Sequence, residues 1–109
     1  MKVQSNTLPN EVEALQGGYL VRFNIVPIKV IHMEVTQDAF EYDEVKIELS
    51  DTRSEIIDKI IFIKYSKSAE ISLINNFNAD NAYLPYQEYQ KFRIFAKELA
   101  DRVMLFKQN

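Results

Sequence analysis

The chain has 109 residues, a formal net charge of −3, 47% hydrophobic and 27% charged residues. That is the composition of one ordinary globular domain, long enough for a core without staples. The absence of cysteine excludes disulfides, thiolate nucleophiles and cysteine zinc sites. No apolar run approaches the roughly 18 residues of a membrane span and the N-terminus has no signal-peptide core, so a cytoplasmic location is the expectation. Charge is unevenly placed: residues 1–51 carry four Lys/Arg against nine Asp/Glu, and residues 52–109 carry nine against seven. An acidic first half and a barely basic second half argue against a phosphate-binding surface and fit solvated faces of opposite bias.

Met1 to Gln16 is polar, weakly patterned and interrupted by Pro9, so residues 1–18 are predicted to be a flexible arm preceding a single domain over 19–109. Gly17-Gly18 breaks the chain. From Tyr19 the period is two: Tyr19, Val21, Phe23 and Ile25 alternate with Leu20, Arg22, Asn24 and Val26. Pro27 lacks an N–H and belongs at an edge, bend or bulge. The alternation resumes over Ile28 to Val35, and the polar run Thr36-Gln37-Asp38-Ala39 reads as the hairpin loop. A further strand follows from Phe40 to Leu49, where the apolar parity slips by one and predicts a bulge near Asp43-Glu44. Two or three antiparallel strands result, according to whether Pro27 bends a strand or ends it.

Helical periodicity begins after Ser50. Thr52-Arg53-Ser54-Glu55 fits a capping box, and the helix it opens buries Ile56, Ile57, Ile60, Ile61 and Ile63, with Phe62 left on the polar side. Isoleucines propagate a helix poorly, so burial must hold this one. Ser66 caps a second helix, near Lys67 to Phe77, with Ile71, Leu73, Ile74 and Phe77 turned inward. A polar loop from Asn75 to Asn81 leads to the longest element, Leu84 to Phe106, with Pro85 in its first turn. Its Tyr89, Phe92, Ala96, Leu99, Val103 and Phe106 recur at steps of three and four and form one apolar stripe. The fold class is α+β, a small antiparallel sheet of two or three N-terminal strands packed against three C-terminal helices.

Few residues carry chemistry. His32 is the one histidine, on a strand, and the only glycines are adjacent, so phosphate-cradling glycine loops are excluded. Asn76, Asn78 and Asp80 have the one-three-five spacing of a calcium loop, but Asn81 stands where glycine is needed and Gln87 where the bidentate glutamate belongs. A helix-capping loop is the better reading. Glu41, Asp43 and Glu44 are the candidate set for a carboxylate-dependent metal module or small enzyme, set against a solvated strand edge. Lys91, Arg93, Lys97, Arg102 and Lys107, with nearby tyrosines, are the candidate set for weak nucleic-acid binding, set against ordinary helix packing.

Three patches carry a resemblance. Val21-Arg22-Phe23-Asn24-Ile25 precedes Phe40-Glu41-Tyr42-Asp43-Glu44-Val45; an isoleucine-rich helix ends in Lys64-Tyr65-Ser66, then Ala69-Glu70 and Asn75-Asn76; Tyr86-Gln87-Glu88-Tyr89-Gln90 leads to Phe92-Arg93 and Ala96-Lys97. In these the chain resembles small phage- and prophage-encoded proteins of gut bacteria, which often have arginine where Phe62 stands and tryptophan where Phe92 stands. The resemblance implies a virion accessory role in the tail region within a bacterial host, and assigns no biochemical activity.

The expectation from sequence is therefore a non-enzymatic interaction or assembly protein without cofactor or metal, meeting a protein partner or a second copy of itself as an oligomer. Phe62, Ile94 and Leu105, off the apolar stripes, are the predicted contact patch, with Tyr19 and Val21 offering an edge strand.

Overall fold

The computed structural model describes residues 2–108. Two compact units follow one another along the chain, the first ending at Ser50 and the second beginning at Asp51.

The first unit is a four-stranded antiparallel sheet of β1 (Lys2–Ser5), β2 (Val12–Leu15), β3 (Gly18–His32) and β4 (Val35–Glu48), in the order β1-β4-β3-β2. The sequence predicts two or three strands and a flexible arm; residues 2–5 and 12–15 are instead the two edge strands. At four residues each they are too short for alternation to announce them, and they exist as partners of a longer hairpin. That hairpin is β3 and β4, which run past Pro27 without interruption. They turn at Met33–Glu34, where both residues have positive φ, 50° and 66°. A two-residue turn with both φ positive is type I′, whose twist matches that of the strands. Thr36 to Ala39, predicted as the loop, lies within β4.

Because β1 and β2 flank opposite sides of the hairpin, residues 6–11 must cross it. Arg22 pins the end of this crossing, its amide donating to the Glu11 carbonyl at 2.8 Å and its Nη1 to the Asn10 carbonyl at 3.4 Å. Gly18 is required where β3 begins, since a Cβ there would stand 2.2 Å from the Ile47 carbonyl oxygen.

The predicted bulge exists but sits on the other strand. Phe23 faces Asp43 and Val26 faces Glu41, so Asn24 and Ile25 oppose Tyr42 alone. Asn24 takes φ 53°, which asparagine tolerates best after glycine. Register puts Val21, Phe23 and Ile47 on one face, all buried. Arg22 lies on the other, its Nε bonded to Glu44 Oε2 at 2.9 Å, its Nη1 3.4 Å from Glu13 Oε1 and its guanidinium 5.9 Å from the Tyr42 ring centre. Burial disfavours the Arg22 cation, yet its bonds to Glu44 and Glu13 outweigh this and hold its pKa above the usual arginine value.

The second unit contains α1 (Arg53–Lys64), α2 (Lys67–Ala79) and α3 (Leu84–Lys107). The capping box forms: Glu55 N donates to Thr52 Oγ1 at 3.3 Å and Thr52 N to Glu55 Oε1 at 3.1 Å. Ile56, Ile60 and Ile61 of α1 are buried, and Tyr89, Phe92, Ala96, Leu99, Ala100 and Val103 form the buried stripe of α3. Against expectation, α2 buries no residue fully and leaves Ile71 and Ile74 exposed, with Leu73 and Phe77 half-buried. It is held through its rings and caps. Phe77 stacks on Tyr86 with centroids 4.1 Å apart, and Ser66 Oγ accepts from Ala69 N at 3.1 Å. Tyr65 meets Tyr89 edge-on at 5.0 Å, and the Tyr89 hydroxyl donates to Glu70. Burial and that carboxylate push Tyr89 up to about 12. The buried Asp51 carboxylate is matched by Lys59 Nζ at 2.5 Å, and Lys107 Nζ donates to the Asp51 carbonyl at 2.9 Å, tying the end of α3 to the start of the unit.

Candidate functional site

The part of the first unit least explained by folding is the outer half of the β3–β4 hairpin. On β4, β1 pairs only with Phe40 to Asp43, and on β3, β2 pairs only with Gly18 to Val21. Beyond them, Val26–His32 and Val35–Ala39 continue as a two-stranded ribbon. Its turn end is apolar and solvated: Met33 is 84% exposed, Ile31 77%, and Val35 is exposed as well. At its base an open groove of 570 Å³ is lined by Pro27, Ile28, Lys29, Asp38, Ala39 and Phe40, with Lys29 and Asp38 ion-paired across the strands.

Hydrogen-bond phase gives the ribbon's two edges different character. His32 and Val35 close the type I′ turn and form a hydrogen-bonded pair, so bonded and non-bonded pairs alternate from there. Val30–Gln37 is then bonded, while Ile31–Thr36, Lys29–Asp38 and Pro27–Phe40 are not. The residues of the non-bonded pairs aim their backbone groups outward. On β3 these include Pro27, whose nitrogen has no hydrogen to offer. On β4 they are Thr36 and Asp38, each with donor and acceptor, before Phe40 is taken up by Ser5 of β1.

The contact residues predicted from sequence fare unequally. Phe62, Ile94 and Leu105 are all exposed. Ile94 and Leu105 share a face of α3 but stand about 16 Å apart at 1.5 Å per residue. Between them lies Asp101, paired with Arg53 at 2.6 Å and held by it below the usual carboxylate range. Ile94 and Leu105 are therefore separate exposures along α3. Tyr19 and Val21 offer no edge: β3 is central there, with β2 on one side and β4 on the other, and Val21 is 0% exposed.

The other candidate sets are also placed. Glu41 and Asp43 share a face, but Glu44 points to the opposite one and is bound to Arg22. Asp43, 8% exposed, accepts from Asn24 Nδ2 at 2.9 Å and lies 3.3 Å from Lys2 Nζ. Among the described residues no group of three or more His, Cys, Asp or Glu is arranged to hold a metal ion. Asn76 and Asn78 lie inside α2, and Asp80 caps it, so the calcium-loop spacing is not a loop. Asp80 Oδ1 accepts from Ala82 N at 3.0 Å, and Asn76 Nδ2 reaches the Tyr83 hydroxyl at 3.3 Å. Of the α3 cations, Lys91 lies 3.7 Å from Glu88, Arg93 sits 5.8 Å from the Tyr89 ring centre, and Lys107 is bound to Asp51. His32 is exposed at the hairpin end.

Sequence reasoning missed Ile31, Met33 and Val35 as a site because Ile28 to Val35 reads as one uninterrupted strand. Nothing in those residues signals a turn. Compared with family models, with curated proteins and with solved structures, the chain matches none. Among the described residues no helix is long and apolar enough to cross a membrane.

Proposed function

We propose that the protein is a non-enzymatic interaction and assembly protein that docks through the β3–β4 hairpin. The observation that carries this reading is the exposed Ile31, Met33 and Val35 around a turn lying beyond both flanking strands. A free two-stranded ribbon is marginal in water. Exposed apolar side chains on it gain about 25 cal/mol per Å² when a partner covers them. The resemblance to small phage and prophage proteins gives the reading its setting: assembly of the tail region of a virion in a bacterial cytoplasm. Phe62 serves as a second, separate contact.

Photo-crosslinking tests it. A benzophenone amino acid placed at Met33 or Ile31 in cells carrying the gene should give a discrete protein adduct. The same group at exposed Leu84 should not. Equal labelling from all three positions would remove the hairpin from this role.

A further inference from the structure

We infer that the open edge of β3 pairs with the same edge of a second copy of this chain, antiparallel about a two-fold axis at Val30. The inference rests on the hairpin being the docking element and names its partner.

The two edges of the ribbon are unequally free. Along β4 the chain's own β1 takes up Phe40, so a strand laid beside Val35–Ala39 runs at once into Ser5. Along β3, β2 leaves off at Val21 and the Glu11 carbonyl takes the Arg22 amide. Among the described residues no strand lies beside the β3 edge from Val26 to His32. The outward backbone groups there belong to Pro27, Lys29 and Ile31, and the last two offer a donor and an acceptor each. A two-fold axis perpendicular to the sheet sets two such edges antiparallel and opposes residues of the same face.

Proline and charge select the register. Centred on Ile28, the pairing sets Pro27 against the second copy's Lys29, and each such pair lacks a donor. Centred on Lys29, it opposes two ammonium groups directly and asks Pro27 for a donor to Ile31. Centred on Ile31, it leaves Lys29 facing Met33, which lies in the turn. Centred on Val30, it opposes Lys29 to the second copy's Ile31 twice over, Ile28 to His32 twice over, and Val30 to Val30. The two Lys29–Ile31 pairs are the outward-facing ones, so four backbone hydrogen bonds form and none of those groups is left open. A lysine on an edge deters pairing, but each Lys29 here keeps Asp38 as its ion pair across its own hairpin. Pro27 falls opposite the second copy's Met33, where the strand has given way to the turn and no donor is asked of it. Met33, the most exposed apolar side chain of the hairpin, thereby comes to the margin of the groove lined by Pro27, Ile28 and Lys29. Neither copy's β2 stands in the way, because it stops short of Val26, the level at which the other copy's turn ends.

The chain has no cysteine, so Val30→Cys supplies its only thiol. At the centre of the pairing two such thiols belong to a non-hydrogen-bonded pair with Cα atoms about 4.5 Å apart, within disulfide reach. Gln37 faces Val30 across the hairpin, so the two Gln37 positions of the dimer stand three strand spacings apart, about 15 Å, beyond that reach. Val30→Cys should therefore oxidise to a covalent dimer far faster than Gln37→Cys. Sedimentation velocity over a concentration series should show the unmodified chain exchanging between monomer and dimer. Ile31→Pro and Thr36→Pro each remove an outward donor of the same non-bonded pair, one from each edge, and leave the hairpin's own ladder intact. Ile31→Pro should weaken the dimer about tenfold to a hundredfold, and Thr36→Pro should leave it unchanged. Val30→Cys oxidising no faster than Gln37→Cys, or Thr36→Pro weakening the dimer as much as Ile31→Pro, overturns self-pairing through β3. If crosslinkers at Ile31 and Met33 then still capture a different protein, docking through the hairpin stands without a second copy; if they capture nothing, both readings fall.

Discussion

Asn24 and Asp43 meet across the sheet where the two long strands fall out of step: Asn24, at φ 53°, donates Nδ2 to Asp43 Oδ2 at 2.9 Å. The residue that accepts the bulge's left-handed backbone is thus also the one that solvates the buried carboxylate opposite. Asn24→Ala should lose both, costing about 2 kcal/mol from the positive φ and the lost donor. Asn24→Gly keeps the backbone freedom and should cost about 1 kcal/mol. Urea unfolding of the two variants separates these terms, and equal midpoints would show that the backbone contributes nothing.

Gly18→Ala makes a harsher demand. The new methyl would stand 2.2 Å from the Ile47 carbonyl oxygen, a backbone atom that no rotamer change can move. The strands must separate locally, at a cost of about 3 kcal/mol or more. Gly17→Ala, with nothing within 4 Å of the added carbon, is the control and should change stability little. Similar midpoints for the two variants would contradict the close approach of β3 to β4.

Burial of Tyr89, together with its bond to Glu70, sets an alkaline limit. With Tyr89 up to about 12, the folded state holds this proton more tightly than the unfolded chain, whose tyrosine titrates near 10. Its stabilising contribution is therefore complete below pH 10 and is lost as pH rises from about 10 to 12. Tyr89→Phe should cost about 1 kcal/mol at neutral pH. It should also flatten unfolding free energy across that alkaline window, whereas an unchanged slope would assign the alkaline loss to other groups.

The second unit was the legible part of the sequence. Thr52 with Glu55, Ser66, and Pro85 at the start of α3 are local signals whose chemistry acts within one turn, and each lies where its spacing places it. The first unit was less legible because its determinants are non-local. Lys2–Ser5 and Val12–Leu15 are strands only because a hairpin lies beside them. The slip in parity at Asp43-Glu44 does not re-aim β4, which pairs regularly there and buries Tyr42 and Ile47 on opposite faces; the extra residue lies on β3, at Asn24 and Ile25. α2 misled for a different reason. Its Ile71 and Ile74 have helical spacing, yet spacing alone does not supply a surface to cover them.

The turn at Met33–Glu34 was invisible for a reason that bears on function. Type I′ turns favour Asn-Gly because both residues have positive φ, and here methionine and glutamate take φ 50° and 66° instead. A local rule broken without a local gain points to a use for the side chain. The double variant Met33→Asn with Glu34→Gly should relieve this strain and raise stability by about 1–2 kcal/mol, read as a higher urea midpoint. The same variant deletes the most exposed apolar side chain of the ribbon, so crosslinking from Ile31 should fall even as the fold strengthens. Greater stability with undiminished crosslinking would make Met33 an idle residue. Lower stability would mean the turn is held by contacts of these two side chains, and the strain argument would fail.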